Sequence, residues 1–165
     1  PAIVTVGQWH GSQPCGIQFA CFVGKGIGWQ MRQHNANISY LNFTTRGTNT
    51  ESMLGGPSTQ TDDFIGAAYR KDLDTNVIKH NGDQKAISGS QTDPISYSGS
   101  DRSAIGGRYR SDGFGSPEGF LDGSIKELIV LDDISDPDIE KIEGYLAWKW
   151  GITLDASHPY FSSPP

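Results

Sequence analysis

The chain lacks a basic cluster: 13 lysines and arginines stand against 19 acidic residues, a formal net charge of −6 over 165 residues. The electrostatic footprint that neutralises a phosphate backbone is missing, so nucleic acid is not an expected partner. No apolar run approaches the roughly 20 residues a membrane-spanning helix needs. The opening "PAIVTVGQWHG" has neither the positive n-region nor the apolar h-region of a signal peptide. A soluble chain without membrane insertion is therefore expected. A first residue of Pro is what remains when an initiator Met is trimmed, and equally what a processing cut leaves. On the first reading the protein is free-standing and made in a cytoplasm.

Cysteine is also scarce, with only Cys15 and Cys21. Six residues along one extended strand hold their Cα atoms about 20 Å apart, against the roughly 4.4–6.8 Å of a disulfide. Two buried free thiols are expected, and without Cys/His clustering a zinc site is not. Charged residues make up only 19% of the chain and glycine occurs 21 times, the balance of a loop-rich β protein rather than a helical bundle. The length suits one domain, residues 1–165.

Short β-branched and aromatic runs supply the strands: "AIVTV", "GIQFACFV", "GIGWQMR", "NISYLNFTT", "FIGAAYR", "NVIKHNG", "AIGGRYR" and "GSIKELIVL". That many strands in this length imply a sandwich or barrel. Residues 47–63 and 88–101, rich in Gly, Ser and Thr, read as long surface connections. Only "SDPDIEKIEGYLAWKWG" reads as helix. Ser135 followed by Asp138 resembles a capping box, Pro137 suits the first turn and Gly151 the C-cap. Ile139, Ile142, Leu146 and Trp150 recur at helical spacing and predict the buried stripe. Tyr145 falls at its margin. Glu140, Lys141 and Glu143 fall elsewhere, and Trp148 lies where it can cap a loop or a neighbouring subunit. A lone helix of this kind is expected to close an open end or cover a sheet edge.

The segment from Phe120 to Tyr160 resembles the C-terminal signature of the concanavalin A-like lectin/glucanase superfamily, in the laminin-G-like branch common in bacterial and bacteriophage proteins. Phe120, Gly123, Ile125, Glu127 and Val130 match its late strand; Ser135, Lys141 through Ala147, Lys149 to Gly151 and His158 to Tyr160 match the helix and the phrase after it. "NVIKHNGDQKA" resembles the family's paired strands, with Asn81 and Gly82 as the turn. The resemblance implies an all-β fold, a two-sheet antiparallel jelly-roll sandwich with one C-terminal α-helix. Members bind carbohydrate, hydrolyse glycosides or serve as structural modules, so fold alone does not choose.

A retaining glycosidase needs two carboxylates about 5–5.5 Å apart. The only glutamates, Glu51, Glu118, Glu127, Glu140 and Glu143, form no acidic-strand phrase, so no enzyme and no catalytic residue is expected; an inverting pair from distant loops stays open. "RKDLDTN", "SDGFGSPEG" and "LDDISDPD" offer oxygen ligands without EF-hand spacing. No cofactor is expected, a structural calcium near Asp112 remaining an alternative. His34, His80 and His158 show no partner pattern and read as surface or turn residues. For glycan binding, the loop from Arg108 to Gly119 places Tyr109 and Phe114 beside Arg110, Asp112 and Glu118; Trp9 and His10 form a second candidate.

The expectation is a non-enzymatic virion structural or adhesion protein, a capsid decoration or tail-associated module at the virion surface. Its partners would be capsid or tail proteins, cell-surface carbohydrate and further copies of the chain. "PAIVTVGQ" is the candidate for docking on a neighbour's sheet edge. The alternatives are an extracellular carbohydrate-binding module of a larger secreted bacterial protein and a divergent glycoside hydrolase.

Overall fold

A computed structural model describes the backbone of residues 2–9, 16–22, 26–33, 41–46, 50–55, 60–72, 75–88, 104–106, 121, 123–132 and 134–165, and the side chains of residues 2–8, 62–72, 75–85, 105–106, 121, 123–132 and 134–165. The strands are β1 (Ala2–Trp9), β2 (Gly16–Phe22), β3 (Gly26–Gln33), β4 (Leu41–Arg46), β5 (Thr50–Gly55), β6 (Gln60–Arg70), β7 (Asn76–His80), β8 (Asp83–Ser88), β9 (Ala104–Ile105) and β10 (Gly123–Leu131), followed by helix α1 (Asp136–Trp150). The first sheet runs β10-β1-β6-β7-β8, every pair antiparallel. The other strands pair in the order β5-β4-β3-β2-β9. Of the two, β5 lies closest to β7 and β8.

β1 explains why an apolar run opens the chain. It pairs with β10 along one edge and β6 along the other, so "PAIVTVGQ" sits inside a sheet and is not the free docking strand expected of it. Both of its faces are covered: Ala2, Ile3, Val4 and Val6 are all fully buried, the pattern of a strand with no solvent side.

Register then fixes which residues share a face. Val4 stands opposite Ile129 and Ala67, Ala67 opposite Lys79, and Ala2 opposite Tyr69, which stands opposite Val77. With side chains alternating along each strand, one face carries Ala2, Val4, Val6, Ile65, Ala67, Tyr69, Val77 and Lys79. α1 lies on this face, and Ile139, Leu146 and Ala147 complete its core. The helix therefore covers the face of a sheet, not an edge or an open end. Burying a side chain such as Ile139 or Leu146 contributes about 1.5–3 kcal/mol.

α1 ends on Gly151 in the left-handed conformation, φ 69°, as the sequence implies. Its start differs. Ser135 occupies the N-cap, but its hydroxyl bonds the Asp138 carboxylate and caps no backbone N–H, so of the capping box only the reciprocal half, from the Ser135 N–H to the Asp138 carboxylate, is present. That hydroxyl first, with Lys141 and the Ser135 N–H, outweighs burial and holds the Asp138 carboxyl below its ordinary value.

The β7–β8 hairpin turns on Asn81 and Gly82, both with positive φ (50° and 81°), the geometry that makes Asn-Gly the favoured two-residue turn. Asn81 does more than turn the chain. Its N–H donates to Ile65 O, its Oδ1 accepts from Ile65 N and its carbonyl accepts from Asp155 N, each at 2.8 Å. The last of these pins the segment following α1 to the sheet.

Residues 47–63 are not one connection: β5 and the start of β6 lie within them. Between residues 88 and 101, only Ser88, the end of β8, is described. Cys15 and His34 lie outside the described residues.

Two glycines are required by close approach of the segment that follows α1. A Cβ on Gly144 would lie 2.7, 2.8 and 2.9 Å from Tyr160 Cβ, Cγ and Cδ2, and one on Gly82 2.6 Å from His158 Cδ2. The segment after the helix thus seats one ring on α1 and another on the hairpin turn. Gly144→Ala gains helix propensity of about 0.8–1.0 kcal/mol but forces an overpacked contact costing about 1–3 kcal/mol. A net loss of about 0–2 kcal/mol is expected from urea unfolding; a stabilised variant would contradict the close contact.

Candidate functional site

The side chains that could do chemistry gather where α1, β7 and the segment after the helix meet. Glu143 is fully buried, although helical spacing places it off the apolar stripe. Its position is decided by Lys79, which register puts on the helix-covered face. Lys79 Nζ donates to Glu143 Oε2 at 2.7 Å, and the two side chains are only 9% and 0% exposed. A carboxylate taken out of water at this depth costs several kcal/mol unless paired. The ammonium group supplies that pairing.

His158 approaches the same oxygen, with Nε2 3.4 Å from Glu143 Oε2 and its side chain 1% exposed. Its Nδ1 accepts from Tyr160 N at 3.2 Å, so in the neutral ring the proton sits on Nε2 and faces the carboxylate. This contact lacks the alignment of a hydrogen bond, and Glu143 Oε1 has no partner among the described residues. His158 lies in a turn, as the sequence allows, its N–H donating to Asp155 O at 3.0 Å, but it is not at the surface: it is part of a buried acid–base cluster.

Two further polar contacts fix the ends of α1. At its start, Tyr69 Oη donates to Asp136 Oδ1 at 3.1 Å and Lys71 Nζ to Oδ2 at 2.5 Å. Burial first, and the Asp136 charge second, push the Tyr69 phenol well above its ordinary value. At its end, Trp150 Nε1 donates to Glu127 Oε2 at 2.7 Å, and Lys149 Nζ lies 2.9 Å from the same oxygen. Burial raises the Glu127 carboxyl, but the bonds from Lys149 and Trp150 outweigh it and hold the group below its ordinary value. Trp150 packs against the core with Lys126 Nζ 5.4 Å from its ring centroid, so the sequence expectation of a packed ring holds with a polar handle added. Tyr145 is half exposed, under Lys149 Nζ at 5.3 Å.

Two clefts flank this cluster. A polar one of about 270 Å³ is lined by Lys79, Asp83, Asp136, Glu140 and His158 among others. The Asp83 carboxylate is bonded by Lys85, and Asp136 by Tyr69 and Lys71. An apolar cleft of about 310 Å³ opens between the end of α1 and the segment after it, walled by Trp148, Tyr160 and Phe161. Trp148 Nε1 donates to Tyr160 O at 3.2 Å, so this ring caps the neighbouring segment.

The candidate glycan loop, Tyr109, Arg110, Asp112, Phe114 and Glu118, lies outside the described residues, as does His10. Trp9 is the last residue of β1, paired with Gly123 and Gln60; its side chain is not described. Among the described residues no group of three or more His, Cys, Asp and Glu could hold a metal ion; Asp112, the calcium candidate, is not among them. Lys79, Glu143 and His158 were missed by sequence reasoning. The available signal was period 2 in β7, which sets Lys79 in phase with the buried Val77.

His80 is buried on the opposite face, its ring stacked on Phe64 with centroids 5.3 Å apart, and it too is not the surface residue expected. Burial first, and the Lys85 charge second, lower its pKa from 6.5 to about 4.

No family model matches the chain, and no curated protein is significantly similar to it.

Two tests follow from this geometry. Lys79→Met leaves a buried carboxylate uncompensated and is expected to cost about 3–5 kcal/mol, whereas Lys79→Met with Glu143→Leu, an apolar pair, recovers most of that loss. Equal losses in the two variants on urea unfolding would contradict the pairing. The low folded pKa of His80 means that its stabilising contribution is full above pH 6.5 and is lost as the pH falls from 6.5 towards 4. The loss amounts to as much as about 3 kcal/mol. Stability of His80→Gln followed over that range is expected to fall less steeply than wild type; parallel profiles would show that His80 does not titrate in this way.

Proposed function

We propose that this chain is a non-enzymatic, lectin-like jelly-roll module that works by binding and assembly, as a virion structural or adhesion protein of the capsid-decoration or tail-associated kind. In this reading the two sets of strands are the layers of a jelly-roll sandwich, with β5 against β7 and β8. The observation that carries it is where the signature residues are spent. Glu143 is sealed behind Lys79, and Glu127 is held by Lys149 and Trp150. Glu140 lines the polar cleft, and its acidic neighbours there, Asp83 and Asp136, are already bound. Glycoside hydrolysis needs a cooperating pair of carboxyl groups, and this half of the chain devotes its acids to docking a helix.

Binding then falls to surfaces and loops, with the Arg108–Gly119 loop as the glycan candidate and capsid or tail proteins as assembly partners. Among the described residues no helix is long and apolar enough to cross a membrane. The test is a broad glycan array with and without calcium, using wild type, Tyr109→Ala and Phe114→Ala, followed by mass spectrometry of the oligosaccharides after incubation. Specific binding lost in both variants, with every oligosaccharide intact, is expected. Released products would make the protein a hydrolase and overturn the reading.

A further inference from the structure

We propose that the apolar cleft at the end of α1 is a binding site for a quaternary ammonium group, of the kind carried by choline. Trp148 is 51% exposed and Phe161 46%, an unusual display for two large rings so close to the core. Trp148 does not wave in solvent: its N–H is bonded to the Tyr160 carbonyl at 3.2 Å. The ring is thereby held, its one donor is used, and what it offers a ligand is its π-face. Tyr160 and Phe161 line the same cleft, over a floor that includes Ala147 and Leu154.

Three features select the ligand. First, a ring face is electron-rich, and a cleft walled by Trp, Tyr and Phe attracts a cation within about 6 Å of the ring centroids. Secondly, among the described residues no charged side chain lines the cleft, yet it opens at Gly151, beyond the last turn of α1. The last carbonyls of a helix lack intrahelical donors and form the negative end of its dipole. In a chain of net charge −6, this complements a positive ligand and repels an anionic one. Thirdly, among the described residues the lining is poor in hydrogen-bonding side chains: the Trp148 N–H is already taken, which leaves the Thr153 hydroxyl and the Tyr160 phenol. A sugar ring, with a hydroxyl donor on most of its carbons, would leave donors unmatched there, at a cost. A quaternary ammonium has no N–H to satisfy. A volume of about 310 Å³ is at the small end of ligand pockets and suits one head group; a protein partner needs a patch of about 800 Å².

The residues invoked here, Trp148, Tyr160 and Phe161, are not those of the Arg108–Gly119 loop, so the two readings can fail independently. Titration calorimetry with choline, its neutral isostere 3,3-dimethylbutanol and glucose tests it. Choline is expected to bind, and the isostere at least about tenfold more weakly, since only the charge differs. Phe161→Ala, at an exposed position, should weaken choline binding without shifting the melting temperature; Trp148→Ala should abolish it and Trp148→Phe partly restore it. Equal binding of choline and its isostere, Trp148-dependent binding of glucose, or unchanged choline binding in the Phe161 and Trp148 variants would each overturn the proposal. A trimethyllysine peptide binding more tightly than choline would transfer the site to a protein ligand and overturn the choline assignment.

Discussion

One buried carboxylate sets the terms for the C-terminal half of this molecule. Glu143 is fully buried at the centre of α1, where an unpaired charge would cost several kcal/mol. The sheet answers with Lys79, and the segment after the helix answers with His158, both converging on a single oxygen. Neither arrangement is available to a helix rotated or shifted by one turn, because Lys79 is fixed by its register against Ala67. Apolar burial supplies the stability here; the ion pair supplies the orientation. Buried ion pairs are poor sources of net stability, and their better-attested role is to specify register.

Around that centre the other contacts fall into line. Asp136 meets Tyr69 and Lys71 at one end of α1, and Trp150 and Lys149 meet Glu127 at the other. The same helix then serves as a seat. Tyr160 rests on Gly144, His158 rests on Gly82, and the Asn81 carbonyl takes the N–H of Asp155. Within the Asp155 turn, Ser157 donates to the carboxylate from both its hydroxyl and its backbone, which holds that carboxyl below its ordinary value. Helix, hairpin turn and following segment therefore form one docked unit, with the two clefts along its seams.

Much of this was legible in the sequence. The strand from Ala2, the Asn-Gly hairpin, the helix and its glycine stop follow from local rules about apolar runs, positive φ and capping. The misses have a common cause: those rules treat charge as a marker of solvent. Helical spacing therefore assigned Glu143 to the outer surface, and the absence of a nearby partner in sequence made His158 a turn residue. Pairing across residues 79, 143 and 158 is a tertiary fact. β5 was missed for a related reason, since a segment poor in β-branched residues becomes a strand by pairing with β4. "PAIVTVGQ" was read as a strand correctly but assigned to a neighbour's sheet, though an apolar run on both faces already pointed to an interior strand. Glu127, Glu143, Trp150 and His158 all fall in the stretch from Phe120 to Tyr160. In this structure they hold a helix.

The direct test is native-state hydrogen exchange, followed residue by residue in wild type and Glu143→Gln. If the carboxylate joins helix, hairpin turn and following segment, then amides of α1, Asn81 and residues 152–161 exchange through one shared opening in wild type. In the variant the whole set should lose protection together. Exchange of residues 152–161 independently of α1 in the wild type, or loss of protection confined to the turn around residue 143 in the variant, would contradict it.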